Sequence, residues 1–162
     1  MVNYCGRFIQ NLTTLSQPLR ELTKTKVLWE WGPAQDQAFK DKKTALSAET
    51  TLVYFDPARN TTMAVDASPT GLGAVLTQQQ EDGEWAPIAY ASRALTDTEQ
   101  RYSHIEKEAI AILWGCRHFH IYLYGHPFKV FTDHKSLVPL SRGTVSEPPT
   151  RIEKWKLQLQ EY

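Results

Sequence analysis

The sequence is short of cysteine, of net charge and of long apolar runs, and each shortage removes a class of protein. Its two cysteines, Cys5 and Cys116, lie too far apart in sequence for a CxxC metal pair and too few for a disulfide framework, a usage suited to a reducing compartment. Eighteen Lys and Arg balance eighteen Asp and Glu, so the broad positive field of many nucleic-acid binders is missing, which leaves local recognition open. The best apolar run, Ala109 to Trp114, falls far short of the roughly 20 residues that span a bilayer, and the N-terminus has no basic and apolar leader. The expectation is an intracellular protein, cytoplasmic or nuclear, with no membrane partner. A Gly-rich phosphate loop, a Walker motif and a Ser-centred elbow are also missing, and His118-x-His120 has no second pair to complete a zinc site.

What is there is globular. Hydrophobic residues make up 41% of the 162, with five Trp, seven Tyr and six Phe, which excludes disorder for most of the chain. Phe8, Leu12, Leu15, Leu19 and Leu22 recur at helical spacing. Trp29-Glu30-Trp31-Gly32-Pro33 then breaks the pattern, and Pro33 fits the first turn of a second helix running to about Leu46. Near Asp56-Pro57 helical spacing gives way to alternation, which sets a boundary between a helical segment, residues 1–56, and a second unit, residues 57–162.

In that second unit Met63, Val65 and Ala67 face one side of a strand and Ala64, Asp66 and Ser68 the other. Pro69-Thr70-Gly71 reads as a turn into a strand over Gly73 to Gln78, and Glu81-Asp82-Gly83 as a turn into a third over Ala86 to Ser92. Thr96 with Glu99, and Ser103 with Glu106, have capping-box spacing, the second opening a helix to about Tyr122. A fourth strand, Phe128 to Asp133, follows Gly125-His126-Pro127, and a last helix runs from Thr150 to Tyr162. A helix between the third and fourth strands permits parallel pairing, so the expectation is an α/β fold with a mixed sheet and flanking helices.

Two acids end strands of this small sheet, Asp66 and Asp133. Alone, Asp66 reads equally well as a turn residue bonded to the Ser68-Pro69 corner. If the two strands are neighbours the carboxylates converge, which is costly unless a cation sits between them. The long helix offers Glu106 and Glu108. Glu106 has a structural task as third residue of the Ser103 capping box, whereas Glu108 lies at the edge of the Ile105, Ala109, Ile112, Cys116, Phe119, Leu123 stripe, where small Ala111 and Gly115 leave room for function. Asp66, Glu108 and Asp133 together form an all-oxygen donor set suited to Mg²⁺ or Mn²⁺, and two such ions would serve phosphodiester hydrolysis. Arg93, Lys107, Lys135, Arg142 and Arg151 are candidates for phosphate contacts, and Tyr102 and Trp155 for stacking on bases.

The runs Val65-Asp66-Ala67-Ser68, Gly71-Leu72-Gly73-Ala74-Val75-Leu76-Thr77-Gln78, Pro87-Ile88-Ala89-Tyr90-Ala91-Ser92-Arg93, Glu106-Lys107-Glu108-Ala109, Tyr122-Leu123-Tyr124-Gly125 and Phe131-Thr132-Asp133-His134-Lys135-Ser136-Leu137 occur in this order. As a set they resemble the RNase H domain of gypsy-type LTR retrotransposon reverse transcriptases. Residues 1–56, with Arg7-Phe8-Ile9, Pro18-Leu19, Trp29-Glu30-Trp31 and Gln37-Ala38-Phe39, are similar to the stretch that joins the polymerase to its RNase H. The resemblance implies an RNase H-like fold over 57–162 and hydrolysis of the RNA strand of an RNA/DNA hybrid with two Mg²⁺ (or Mn²⁺) ions. Asp66, Glu108 and Asp133 match the family's first three catalytic, metal-holding acids. The implied partners are the hybrid and the rest of the polyprotein, polymerase and integrase. The family's fourth acid lies further on than Tyr162, so the resemblance implies a domain incomplete at its C-terminus and weak or inactive as a nuclease by itself. A catalytically inactive nucleic-acid-binding module and a non-functional gene remnant are the alternatives.

Overall fold

The computed structural model describes residues 9, 11–25, 27–47, 52–132 and 150–162. Its centre is a four-stranded sheet in the order β3-β2-β1-β4, with β1 Thr61–Ala67, β2 Gly71–Gln79, β3 Trp85–Ala94 and β4 Phe128–Phe131. The first three strands form an antiparallel meander, and β4 joins β1 in parallel, from Thr61–Phe128 to Ala64–Phe131. The mixed sheet expected from the strand order is therefore present.

Turn chemistry explains the meander. Between β1 and β2 the Ser68 backbone N–H donates to the Gly71 carbonyl at 2.9 Å, and the Ser68 hydroxyl oxygen accepts from the Gly71 N–H at 2.9 Å. Between β2 and β3, Gly83 takes φ 87, a left-handed value that a side chain would oppose, and Asp82 accepts from the Glu84 N–H. Between Leu76, opposite Ala89, and Thr77, opposite Pro87, the register shifts by one residue, so β3 carries a bulge at Ile88.

Among the described residues six helices accompany the sheet: α1 Leu12–Glu21, α2 Pro33–Ser47, α3 Asp97–Gln100, α4 His104–His118, α5 His120–Leu123 and α6 Thr150–Leu159. Both capping boxes are formed, at Thr96 and Ser103. The helix expected to reach Tyr122 instead breaks at Phe119, where φ −96 and ψ 19 leave the helical region.

Helix α4 lies on one face of the sheet. Met63, Val65, Ala67, Leu72, Ala74 and Leu76 bury against its Ala111 and Cys116 and against Phe119 and Leu123. Each large side chain in that set contributes about 1.5–3 kcal/mol by leaving water. Gly115 lets helix and strand approach closely: a Cβ there would stand 2.9 Å from the Met63 sulfur. A second seam joins α4 to α6, with Ala109 and Ile152 buried between Ile105, Ile112 and Trp155. The small residues of α4 therefore do not leave the open space that the sequence pattern suggested, because the sheet fills it.

The helical segment is fastened to the sheet as well. The Thr13 N–H donates to the Ser92 hydroxyl at 3.2 Å, and the Thr70 hydroxyl donates to Gln17 Oε1 at 3.3 Å. Ahead of β1, fully buried Gln78 holds the chain at Asp56 by accepting from its N–H at 2.9 Å and donating to its carbonyl at 2.8 Å. Among the described residues no helix is long and apolar enough to cross a membrane.

Candidate active site at the end of the sheet

Alternation along β1 sends Met63, Val65 and Ala67 into the core and leaves Asp66 exposed, one residue before the strand ends. The turn-residue reading of Asp66 does not hold, because Ser68 closes that corner itself. No hydrogen bond to the Asp66 carboxylate is made among the described residues.

Glu108 reaches the same end of the sheet from the second turn of α4 and is 0% exposed. Its Oε1 accepts from the Ala67 backbone N–H at 3.1 Å, and its Oε2 accepts from the Thr132 hydroxyl at 3.0 Å. Ala67 is the residue after Asp66, and Thr132 follows β4. One carboxylate thus ties the ends of two adjacent parallel strands together. A buried carboxylate is costly without such partners, and each oxygen has one.

Glu106 takes the structural role its spacing predicts. It accepts from the Ser103 N–H and hydroxyl, both at 2.9 Å, and pairs with the Arg151 guanidinium. Burial pushes its carboxyl upward, but the Ser103 hydrogen bonds and the Arg151 charge outweigh it and hold it below the usual carboxylate value. Arg151 also lies 4.3 Å over the Tyr102 ring, and Tyr102 meets Trp155 at 6.0 Å. These residues pin α6 to the start of α4. Arg93 likewise forks onto Glu99 at 2.7 and 2.8 Å. Arg93 and Arg151, expected as phosphate contacts, are therefore engaged within the fold, as are Tyr102 and Trp155.

Asp133, with Lys135 and Arg142, lies outside the described residues. Among the described residues no three carboxylate, imidazole or thiol groups gather at one point; the described part of the site offers two carboxylates, Asp66 and Glu108. Oxygen donors alone, one exposed and one held rigidly by hydrogen bonds, are the set that hard divalent cations take.

Asp66 also borders a hollow of about 160 Å³ on the sheet face opposite α4, lined by Asn11, Gly73, Val75 and Tyr90 among others. Asn11 was not singled out from sequence. An Asn just before a helix reads as an N-cap, and nothing in its neighbours signals a side chain turned across the sheet.

Residues 56–162 match the family model of the RNase H-like domain found in reverse transcriptase. The chain is similar to the Tf2-3 and Tf2-4 transposon polyproteins of Schizosaccharomyces pombe, 34% identical over 99% of this chain, and it spans 12% of their length. In structure it is similar to the foamy viral protease-reverse transcriptase dRH in complex with double-stranded DNA, at 22% identity with a TM-score of 0.74, covering 98% of this chain and 28% of that one. It is also similar to the foamy viral protease-reverse transcriptase in complex with RNA/DNA hybrid, at 21% identity and TM-score 0.69, covering 99% and 22%. With the sheet order, the acid-bearing strand end and the match over residues 56–162 all in one chain, this protein belongs to the RNase H-like domains found in reverse transcriptases, of the gypsy-type LTR retrotransposon kind.

Proposed function

We propose that the chain is the nuclease part of a retrotransposon polyprotein and hydrolyses the RNA strand of an RNA/DNA hybrid at the Asp66 end of its sheet. In this reading residues 57–162 form the nuclease unit and residues 1–56 the segment that leads into it from the polymerase. The observation that carries the proposal is Glu108, buried yet bonded to the residue after Asp66 and to the residue before Asp133. Such a carboxylate sets the spacing of the two strand ends, and in sequence each of its two bonded residues is next to an acid, Asp66 and Asp133. Asp66, Glu108 and Asp133 would hold the metal. Two Mg²⁺ or Mn²⁺ ions, when bound, lower the pKa of water and stabilise charge on the leaving oxygen. The protein's own contribution is placement: Glu108 cannot rotate without breaking two hydrogen bonds, and Asp66 is open to the substrate side.

Manganese titration of the chain tests this directly. Asp66→Asn and Glu108→Gln should each weaken Mn²⁺ binding at least tenfold, while Glu106→Gln leaves it within twofold. Glu108→Gln is a clean probe, because the amide oxygen still accepts from the Ala67 N–H and the amide nitrogen donates to Thr132. In the polyprotein, the first two variants should lower hybrid cleavage by several orders of magnitude. Unchanged Mn²⁺ affinity in both would overturn the proposal.

A further inference from the structure

The hollow beside Asp66 is walled in part by a residue from outside the family-matched region. Asn11 adopts φ 54 and ψ 30, the left-handed region, and is the one non-glycine among the described residues with positive φ. It occupies the N-cap of α1, where Asn normally turns its side chain to the helix's free N–H groups. Here it does not: no side-chain cap is formed. The N–H of Thr13, which a cap would serve, is bonded to the Ser92 hydroxyl from β3. Released from capping, the Asn11 amide lies over Gly73, its Oδ1 3.3 Å from where a Gly73 Cβ would stand. Gly73 is the cross-strand partner of Asp66. A side chain at position 73 would crowd Asn11 and narrow the hollow.

An exposed amide that both donates and accepts, next to an exposed carboxylate, fits a group that also does both. On an RNA/DNA hybrid that group is the ribose 2′-hydroxyl, the feature by which a protein tells RNA from DNA. We infer that Asn11 contacts a 2′-hydroxyl of the RNA strand beside the Asp66 site and so contributes to the choice of hybrid over DNA duplex. The inference rests on the proposed function for its choice of ligand.

Binding separates the two. In buffer containing EDTA, where no divalent ion is available for cutting and Asp66 is kept, fluorescence anisotropy compares an RNA/DNA hybrid with a DNA duplex of the same sequence, with and without Asn11→Gly. Glycine keeps the left-handed backbone without strain, so the fold survives the change. The expected result is a hybrid preference that falls about fivefold to tenfold on Asn11→Gly, with affinity for DNA duplex unchanged. Replacing single riboses by 2′-deoxyribose should cost affinity at one position of the RNA strand when Asn11 is present and nothing at that position once Asn11→Gly is made. A hybrid preference untouched by Asn11→Gly, or none to begin with, overturns the assignment. Failure of the nuclease reading shows separately, as hybrid cleavage by the polyprotein that Asp66→Asn does not lower.

Discussion

Burial isolates Cys116 from every reagent in solution. It is 1% exposed at the heart of the α4–sheet contact, and burial alone pushes its thiol up to about 12. Since the thiolate is the reactive form, Cys116 should resist alkylation while the fold holds. In a Cys5→Ser background, Ellman's reagent should label the native chain only at its rate of unfolding and the urea-unfolded chain at once; prompt labelling of the native protein would contradict the described core. The same logic of environment separates the two glutamates of α4. The Ser103-to-Glu106 spacing was enough to assign Glu106 to the cap, and the place of Glu108 beside the apolar stripe made it the candidate for the site. That Glu108 would be wholly buried was not legible, because its partners, the Ala67 N–H and the Thr132 hydroxyl, come from strands whose pairing no local pattern specifies.

Helix α3 has only four residues, yet it is held firmly. Thr96 caps it, Glu99 returns a hydrogen bond to the Thr96 N–H at 2.8 Å, and Arg93 grips both Glu99 oxygens. The Arg93 hydrogen bond, against an opposing push from burial, holds the Glu99 carboxyl at about 2. A carboxyl depressed from 4.5 stabilises the fold fully above its unfolded value and loses that contribution as pH falls toward 2. Glu99→Gln should therefore cost about 1–3 kcal/mol at pH 7. The gap from the unsubstituted chain, read by urea denaturation, should narrow steadily between pH 4.5 and about 2; a gap independent of pH would mean the ion pair contributes nothing. The meander and both capping boxes were legible because their signals are local: alternation, Ser68-Pro69, Asp82-Gly83, and Glu three residues after Thr or Ser. The end of α4 was not. The apolar stripe runs on through Phe119 and Leu123, and both are buried, but the backbone turns at Phe119 to bring Leu123 under the sheet.

How the helical segment meets the sheet decides whether Asn11 and Asp66 share one surface. Among the polar contacts of that tie, the bond from the Thr13 N–H to Ser92 also serves as the missing helix cap. Ser92→Ala removes a cap of the kind worth about 1 kcal/mol and frees the start of α1 to fray. Amide exchange at Thr13 should then accelerate about fivefold, the equivalent of about 1 kcal/mol, while β1 and β2 exchange as before; unchanged exchange would show that apolar packing alone holds the helix. The topology also sets an order of events. The meander of β1, β2 and β3 is built from contacts close in sequence, the kind that cost least loop entropy to close, whereas the rung from Ala64 to Phe131 closes a loop through all of α3, α4 and α5. During synthesis the Ala67 N–H that bonds Glu108 Oε1 is made long before the Thr132 hydroxyl that bonds Oε2. Docking of β4 is thus the step that completes this pair of bonds, because only with β4 beside β1 does the Thr132 hydroxyl reach the Glu108 carboxylate.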